Sequence, residues 1–145
     1  MERSLAESMF MEKRYNCAQS VLGAFTEELG LDTDTALRIA SSFGAGMVQM
    51  QETCGAVTGG LMALGLRYGF TDPTDQEQRA LCTAKSKEFI SAFRAAFGTI
   101  SCRELLGCDL STPEGQKFFA DNNQREAICN RCVGEAVAII KQLQS

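Results

Sequence analysis

The sequence predicts an all-α fold, a single-domain helical bundle of about six to seven helices over residues 1–145. Three observations carry that expectation. Apolar residues recur at three- and four-residue spacing along most of the chain, no stretch sustains the alternation of a half-buried strand, and the periodic segments are opened by N-cap residues and closed by glycine. A chain of 145 residues is long enough to bury one core without staples. It contains no solenoid repeat, low-complexity segment or linker.

The elements follow in order. A first helix is expected over about residues 2 to 12. A second begins after Asn16, which with Gln19 makes a capping box, carries Ala18, Val21, Leu22, Phe25 and Leu29 on one face, and stops at Gly30. A third starts after Asp32 or Thr33, carries Leu37, Ile39, Ala40 and Phe43, and ends at Gly44. A loop runs from there to Glu52. Thr53 is then expected to cap a fourth helix, with Val57, Leu61, Leu64 and Tyr68 in phase and Gly69 at its end. Gly55 and Gly59 lie four apart on it and leave a stripe without side chains, at a cost of about 1 kcal/mol each against alanine. That stripe suits either close helix packing or a bound cofactor. Past Pro73 the longest helix covers about residues 74 to 97, with Cys82, Phe89, Ile90, Phe93 and Phe97 as its core stripe. Ser101 and Glu104 read as a capping box for a short helix that Gly107 closes. Thr112-Pro113 opens another, because proline suits the first helical position. The last helix is expected over about 130 to 143, with Val133, Val137, Ile140 and Leu143 facing inward.

Seven cysteines and no histidine constrain the chemistry. Without imidazole there is no Ser-His-Asp or Cys-His catalysis and no Cys/His zinc finger. A reactive cysteine would need activation by a helix terminus or a nearby Lys or Arg. The cysteine density is below the roughly 8–10% of a disulfide-built scaffold. A net charge of −4 and a pI near 4.9 argue against nucleic acid or an anionic membrane as the main partner. The N-terminus lacks the apolar core of a signal peptide, and no run approaches a membrane span. The expected location is the cytoplasm, where cysteines serve metals or redox work more readily than structural bridges.

Placed on these helices, Cys17, Cys54 and Cys102 each follow a cap residue and open a helix, and Cys129 lies at the start of the last one. Unpaired N–H groups and the positive end of the helix dipole favour a thiolate there. If the helix starts converge, four sulfurs share one electropositive pocket that wants protons, disulfides or a metal. Cys82 and Cys132 read as core filling. Cys108, in the turn after Gly107 and close to Cys102, stands open between a resolving partner or fifth ligand and no role in the site. The lone Cys129-x-x-Cys132 pair matches neither a zinc ribbon nor a thioredoxin motif nor a ferredoxin run.

The segment Cys54-Gly55-Ala56-Val57-Thr58-Gly59 resembles the central motif of the redox-active proteins labelled C_GCAxxG_C_C, although the label spells Gly-Cys-Ala where this chain reads Cys-Gly-Ala. The family carries four characteristic cysteines: one early (here Cys17), one in the motif (Cys54) and two late ones, which Cys102 and Cys129 fit best. Cys108 and Cys132 compete for the late positions. The resemblance implies redox activity without a defined substrate.

The leading expectation is a small redox protein with Cys17, Cys54, Cys102 and Cys129 in one site. The site would hold an iron–sulfur centre, most simply two-iron, with room at Gly55 and Gly59, or would work by thiol–disulfide exchange from Cys54. The rival is a structural four-cysteine zinc site in a redox-silent interaction module. A helical interaction protein with incidental cysteines is a further reading, in which Met47, Met50, Phe118 and Phe119 form a partner surface instead of core. Glu52, two residues before Cys54, is a candidate proton carrier or ligand, and Arg103 a candidate partner for a thiolate, with exposed helix surface as the alternative. A redox partner protein is implied but not identified, and the glycine-striped helix is compatible with a homodimer.

Overall fold

The computed structural model describes residues 1–144. The architecture is all-α. In chain order the helices are α1 (Glu2–Met11), α2 (Cys17–Gly23), α3 (Thr26–Leu29), α4 (Thr33–Ala40), α5 (Gly55–Tyr68), α6 (Gln76–Phe97), α7 (Cys102–Leu106), α8 (Pro113–Asp121) and α9 (Arg131–Gln144). A 3-10 turn at Ser41–Phe43 and a π-helical turn at Arg125–Asn130 complete the set. Among the described residues there is no strand, only an isolated antiparallel bridge between Thr53 and Ser101. No helix among them is long and apolar enough to cross a membrane.

The core is made by the inward faces of α1, α2, α5, α6 and α9, around Phe10, Val21, Leu22, Phe25, Leu64, Phe89, Phe93, Val133, Val137 and Ile140. Full burial of such side chains contributes about 1.5–3 kcal/mol each. The glycine stripe of α5 serves this packing. A Cβ on Gly59 would sit 2.6 Å from the Ala18 carbonyl oxygen, and one on Gly55 would sit 2.9 Å from Cys17 Cβ. The space the stripe leaves is therefore taken by the backbone of α2. This close crossing brings the starts of α2 and α5 together.

Several local expectations are revised. The helix expected from Asn16 to Gly30 is two helices, because the Thr26 hydroxyl takes the Gly23 carbonyl at 3.0 Å and competes with the backbone ladder. The N-cap of α5 is Cys54 itself, and Thr53 is spent on the bridge to Ser101. The Asn16–Gln19 box forms in both directions, at 3.1 and 2.8 Å. The Ser101 box forms in one: Ser101 Oγ accepts from the Glu104 N–H at 3.2 Å, while the Ser101 N–H goes to Thr99 Oγ1 at 3.0 Å. Met50 and Phe118 are exposed, not core, and Cys82 is only half-buried.

The loop between Gly44 and Glu52 has an unexpected form. Ala45, Gly46, Met47, Val48 and Gln49 all have positive φ, between 50 and 71°. The chain turns left-handed for five consecutive residues, stitched by Val48 N–H to Ser42 O at 2.8 Å, Gln51 N–H to Ala45 O at 3.0 Å and Glu52 N–H to Gly46 O at 2.9 Å. Each non-glycine residue in that conformation costs roughly 1–2 kcal/mol.

Candidate functional site

Five cysteines border one cavity of about 550 Å³. Cys17 arrives on the first residue of α2, Cys54 on the N-cap of α5, Cys102 on the first residue of α7, Cys129 on the π turn and Cys132 on the second residue of α9. The four cysteines singled out in the sequence are thus brought together, and Cys132 joins them. The three-residue spacing explains the addition. Cys129, on the π turn, and Cys132, core by burial, lie on one helical face and meet the same space. The rest of the wall is Phe10, Leu105, Leu106, Leu110, Phe119, the left-handed loop and a few polar groups. No carboxylate lines it.

Two of the helix starts are held by main chain. Around the Thr53–Ser101 bridge, Cys54 N–H donates to Ile100 O and Cys102 N–H to Glu52 O, both at 2.7 Å. Cys54 and Cys102 are therefore fixed beside each other although they are distant in sequence. Gln51, buried and itself left-handed, ties this unit to the segment after α7: its Nε2 donates to Cys108 O at 2.9 Å and its Oε1 accepts from the Leu110 N–H at 2.8 Å. Gln124, also buried, donates to Leu106 O at 2.6 Å and accepts the Cys108 thiol at 3.4 Å.

Within this group Cys17 is influenced most by Cys129 and Cys54 most by Cys132. Hydrogen bonding to Cys132 holds the Cys54 thiol below the ordinary range against its burial, and the N–H groups of Ala56 and Val57 at the start of α5 add to the lowering. The same bond, with burial, pushes Cys132 up. Cys17 is raised well above the ordinary range by its bond to Cys129 and by burial. Cys102 is pushed up to about 12, chiefly by burial. The site is thus asymmetric, with Cys54 favoured as thiolate and Cys132, Cys17 and Cys102 held as thiols.

The other candidates lie elsewhere. Cys108 is held by Gln124 and does not line the cavity, and neither do Gly59 or Glu52, whose side chain is exposed. Gly55 does line it. Arg103 pairs with Asp109 at 3.5 Å, not with a thiolate. Sequence reasoning missed Gln51, Gln124 and Arg125. Arg125 projects from the π turn into the cavity wall, donates from Nη2 to the Phe10 carbonyl and stacks with its Cζ 3.9 Å from the centre of the Phe10 ring. No local spacing marks these three, since each is paired across the fold.

All seven cysteines are free thiols. Among the described residues no group of three or more Cys, Asp or Glu side chains is arranged to hold a metal ion. No curated protein and no solved structure matches the chain. One family does: the family described as "Putative redox-active protein (C_GCAxxG_C_C)" matches residues 15–143, nearly the whole chain with Cys17, Cys54, Cys102, Cys129 and Cys132 inside the match, and the chain belongs to that family.

Proposed function

We propose that the protein is a thiol–disulfide redox protein in which Cys54 attacks and Cys132 resolves, with Cys17 and Cys129 as a second dithiol. The observation that supports it is that Cys54 and Cys132 line one cavity, where each acts on the other in opposite directions, lowering Cys54 and raising Cys132. The Cys54 thiolate attacks one sulfur of a disulfide substrate; the substrate S–S bond breaks and one thiolate leaves and is protonated. Cys132 then loses its proton and attacks Cys54 Sγ, releasing the second substrate thiol. One disulfide is reduced to two thiols and two protein thiols are oxidised, and a dithiol reductant reverses the change.

A second reading is favoured by one feature, the all-sulfur donor set of the cavity. Cys17, Cys54, Cys102 and Cys129, or Cys132 in place of the last, would hold an iron–sulfur cluster or a zinc ion there. Such a cluster would supply one-electron transfer; zinc would leave the site redox-silent.

The test is oxygen-free purification followed by iron, zinc and acid-labile sulfide analysis, a visible spectrum, and peptide mapping after exposure to a small disulfide. The thiol reading expects metal-free protein that loses two thiols as a Cys54–Cys132 link, and no reaction in Cys54→Ser. A brown, sulfide-bearing protein that bleaches in Cys54→Ser, or a colourless protein with one tight zinc, overturns it.

A further inference from the structure

Arg125 is the one charged side chain in the cavity wall. Two of its features set it apart from a surface arginine. Its Nε is buried and makes no hydrogen bond. Its guanidinium is fixed by the Nη2 bond to Phe10 O and by stacking on the Phe10 ring. None of the ion pairs among the described residues includes it. A second cation, Arg14, lies close enough to act on it electrostatically, alongside Cys17 and Cys129. A part-buried guanidinium without a counter-ion is unfavourable, and a planar donor group held rigid in advance fits a carboxylate well. The volume suits a small molecule, and the remaining wall is apolar or sulfur.

We infer that the cavity is the binding site of a small thiol or disulfide that carries a carboxylate, which Arg125 receives while the substrate sulfur faces the protein sulfurs. This rests on the thiol reading above and names its substrate class. The carboxylate pairs with the guanidinium N–H groups that face the cavity, which fixes the ligand's depth. The apolar wall of Leu105, Leu106 and Phe119 takes the methylene stem.

The test compares two alkylating agents of similar size, anionic iodoacetate and neutral iodoacetamide, on the reduced full chain. Peptide mass spectrometry reads the rate at each cysteine, and Cys82, on α6 outside the cavity, is the internal reference. At the most reactive cavity cysteine the iodoacetate-to-iodoacetamide ratio is expected to exceed that at Cys82 by about tenfold, and propionate but not propionamide should suppress the excess. In Arg125→Gln the iodoacetate rate should fall by about tenfold and the iodoacetamide rate by at most about twofold, with Arg125→Lys keeping part of the preference. Equal loss of both rates in Arg125→Gln overturns the inference, because Arg125 then acts only on the sulfurs. A wild-type ratio equal to that at Cys82 also overturns it, without any variant that must fold. Oxidation by dithiodipropionate against hydroxyethyl disulfide separates the two claims. If both oxidise the Cys54–Cys132 pair at the same rate, the carboxylate site is wrong and the thiol reading stands. If neither does while the alkylation preference holds, the thiol reading is wrong and the anion site stands.

Discussion

The two segments that lead into the cysteine-bearing helices α2 and α5 are built by opposite means. The approach to α2 is solved locally: Asn16 and Gln19 satisfy each other's backbone N–H groups, and Cys17 follows on the first helical residue. The approach to α5 is solved by the rest of the molecule. Five left-handed residues precede it, no side chain of the Ser/Asp type caps it, and its start is held by main-chain bonds to Ile100 and Cys102. The contrast teaches that the sulfur held nearest to a thiolate, Cys54, sits where the backbone is strained and tertiary contacts supply the order. Strained backbone of this kind persists only where its surroundings over-determine it, and it gathers at functional sites.

The comparison can be broken first at Gly46. Its φ is +71°, and a Cβ there would meet Glu52 N at 2.5 Å and Gln51 Cα at 2.6 Å. Gly46→Val should cost on the order of 3 kcal/mol or more in urea unfolding, because neither the turn nor the backbone behind it can yield. A change within about 0.5 kcal/mol would mean that the left-handed turn is not the solution structure. Alkali is the next lever. Cys102 is raised from an ordinary value near 9 to about 12, so the native state keeps a proton that the unfolded chain loses. Its stabilisation is complete below about pH 9 and fades as pH rises towards 12. Cys17, Cys108 and Cys132 act in the same sense, and Cys54, being lowered, in the opposite one. Four raised thiols against one lowered predict a urea midpoint that falls from about pH 8 to about pH 10.5, less steeply in Cys102→Ala.

The remaining tests are smaller and sharpen the contrast. Asn16→Ala should cost about 1–2 kcal/mol, since it removes the box and the Nδ2 bond to Ser41 O at 3.1 Å. Val48→Gly should do the reverse and stabilise by about 0.5–1 kcal/mol, because Val48 is left-handed and 68% exposed and loses little packing. A destabilised Val48→Gly protein in a thermal melt would show that the valine side chain matters more than its backbone strain.

The same contrast explains how much could be read from the sequence. The helices, the Asn16 box and the closing glycines Gly30, Gly98 and Gly107 were legible, because each rests on neighbours three or four residues away. So were Cys17, Cys54 and Cys102 as residues at helix starts. The left-handed turn was not, because Met47, Val48 and Gln49 have no local preference for it and only the ladder to Ser42, Gly44 and Ala45 compels it. Cys132 read as core, and by burial it is; it also shares a face with Cys129 three residues before it, which places it in the cavity wall as the competing late cysteine. Gln51, Gln124 and Arg125 acquire their positions from Cys108, Leu106 and Phe10, partners that a linear pattern does not link to them.

Both sulfur pairs join an early helix to the last turn and helix of the described chain, Cys17 to Cys129 and Cys54 to Cys132. During synthesis from the N-terminus, α2 and α5 emerge and can cross long before either partner sulfur exists. Each early thiol therefore waits, unpartnered, for about eighty residues or more, a separation that adds little to the entropy of closing the loop but much to the delay. The segment that carries the π turn and the start of α9 completes both pairs at once, so a nascent chain stalled before the π turn would display Cys17 and Cys54 without the sulfurs that tune them.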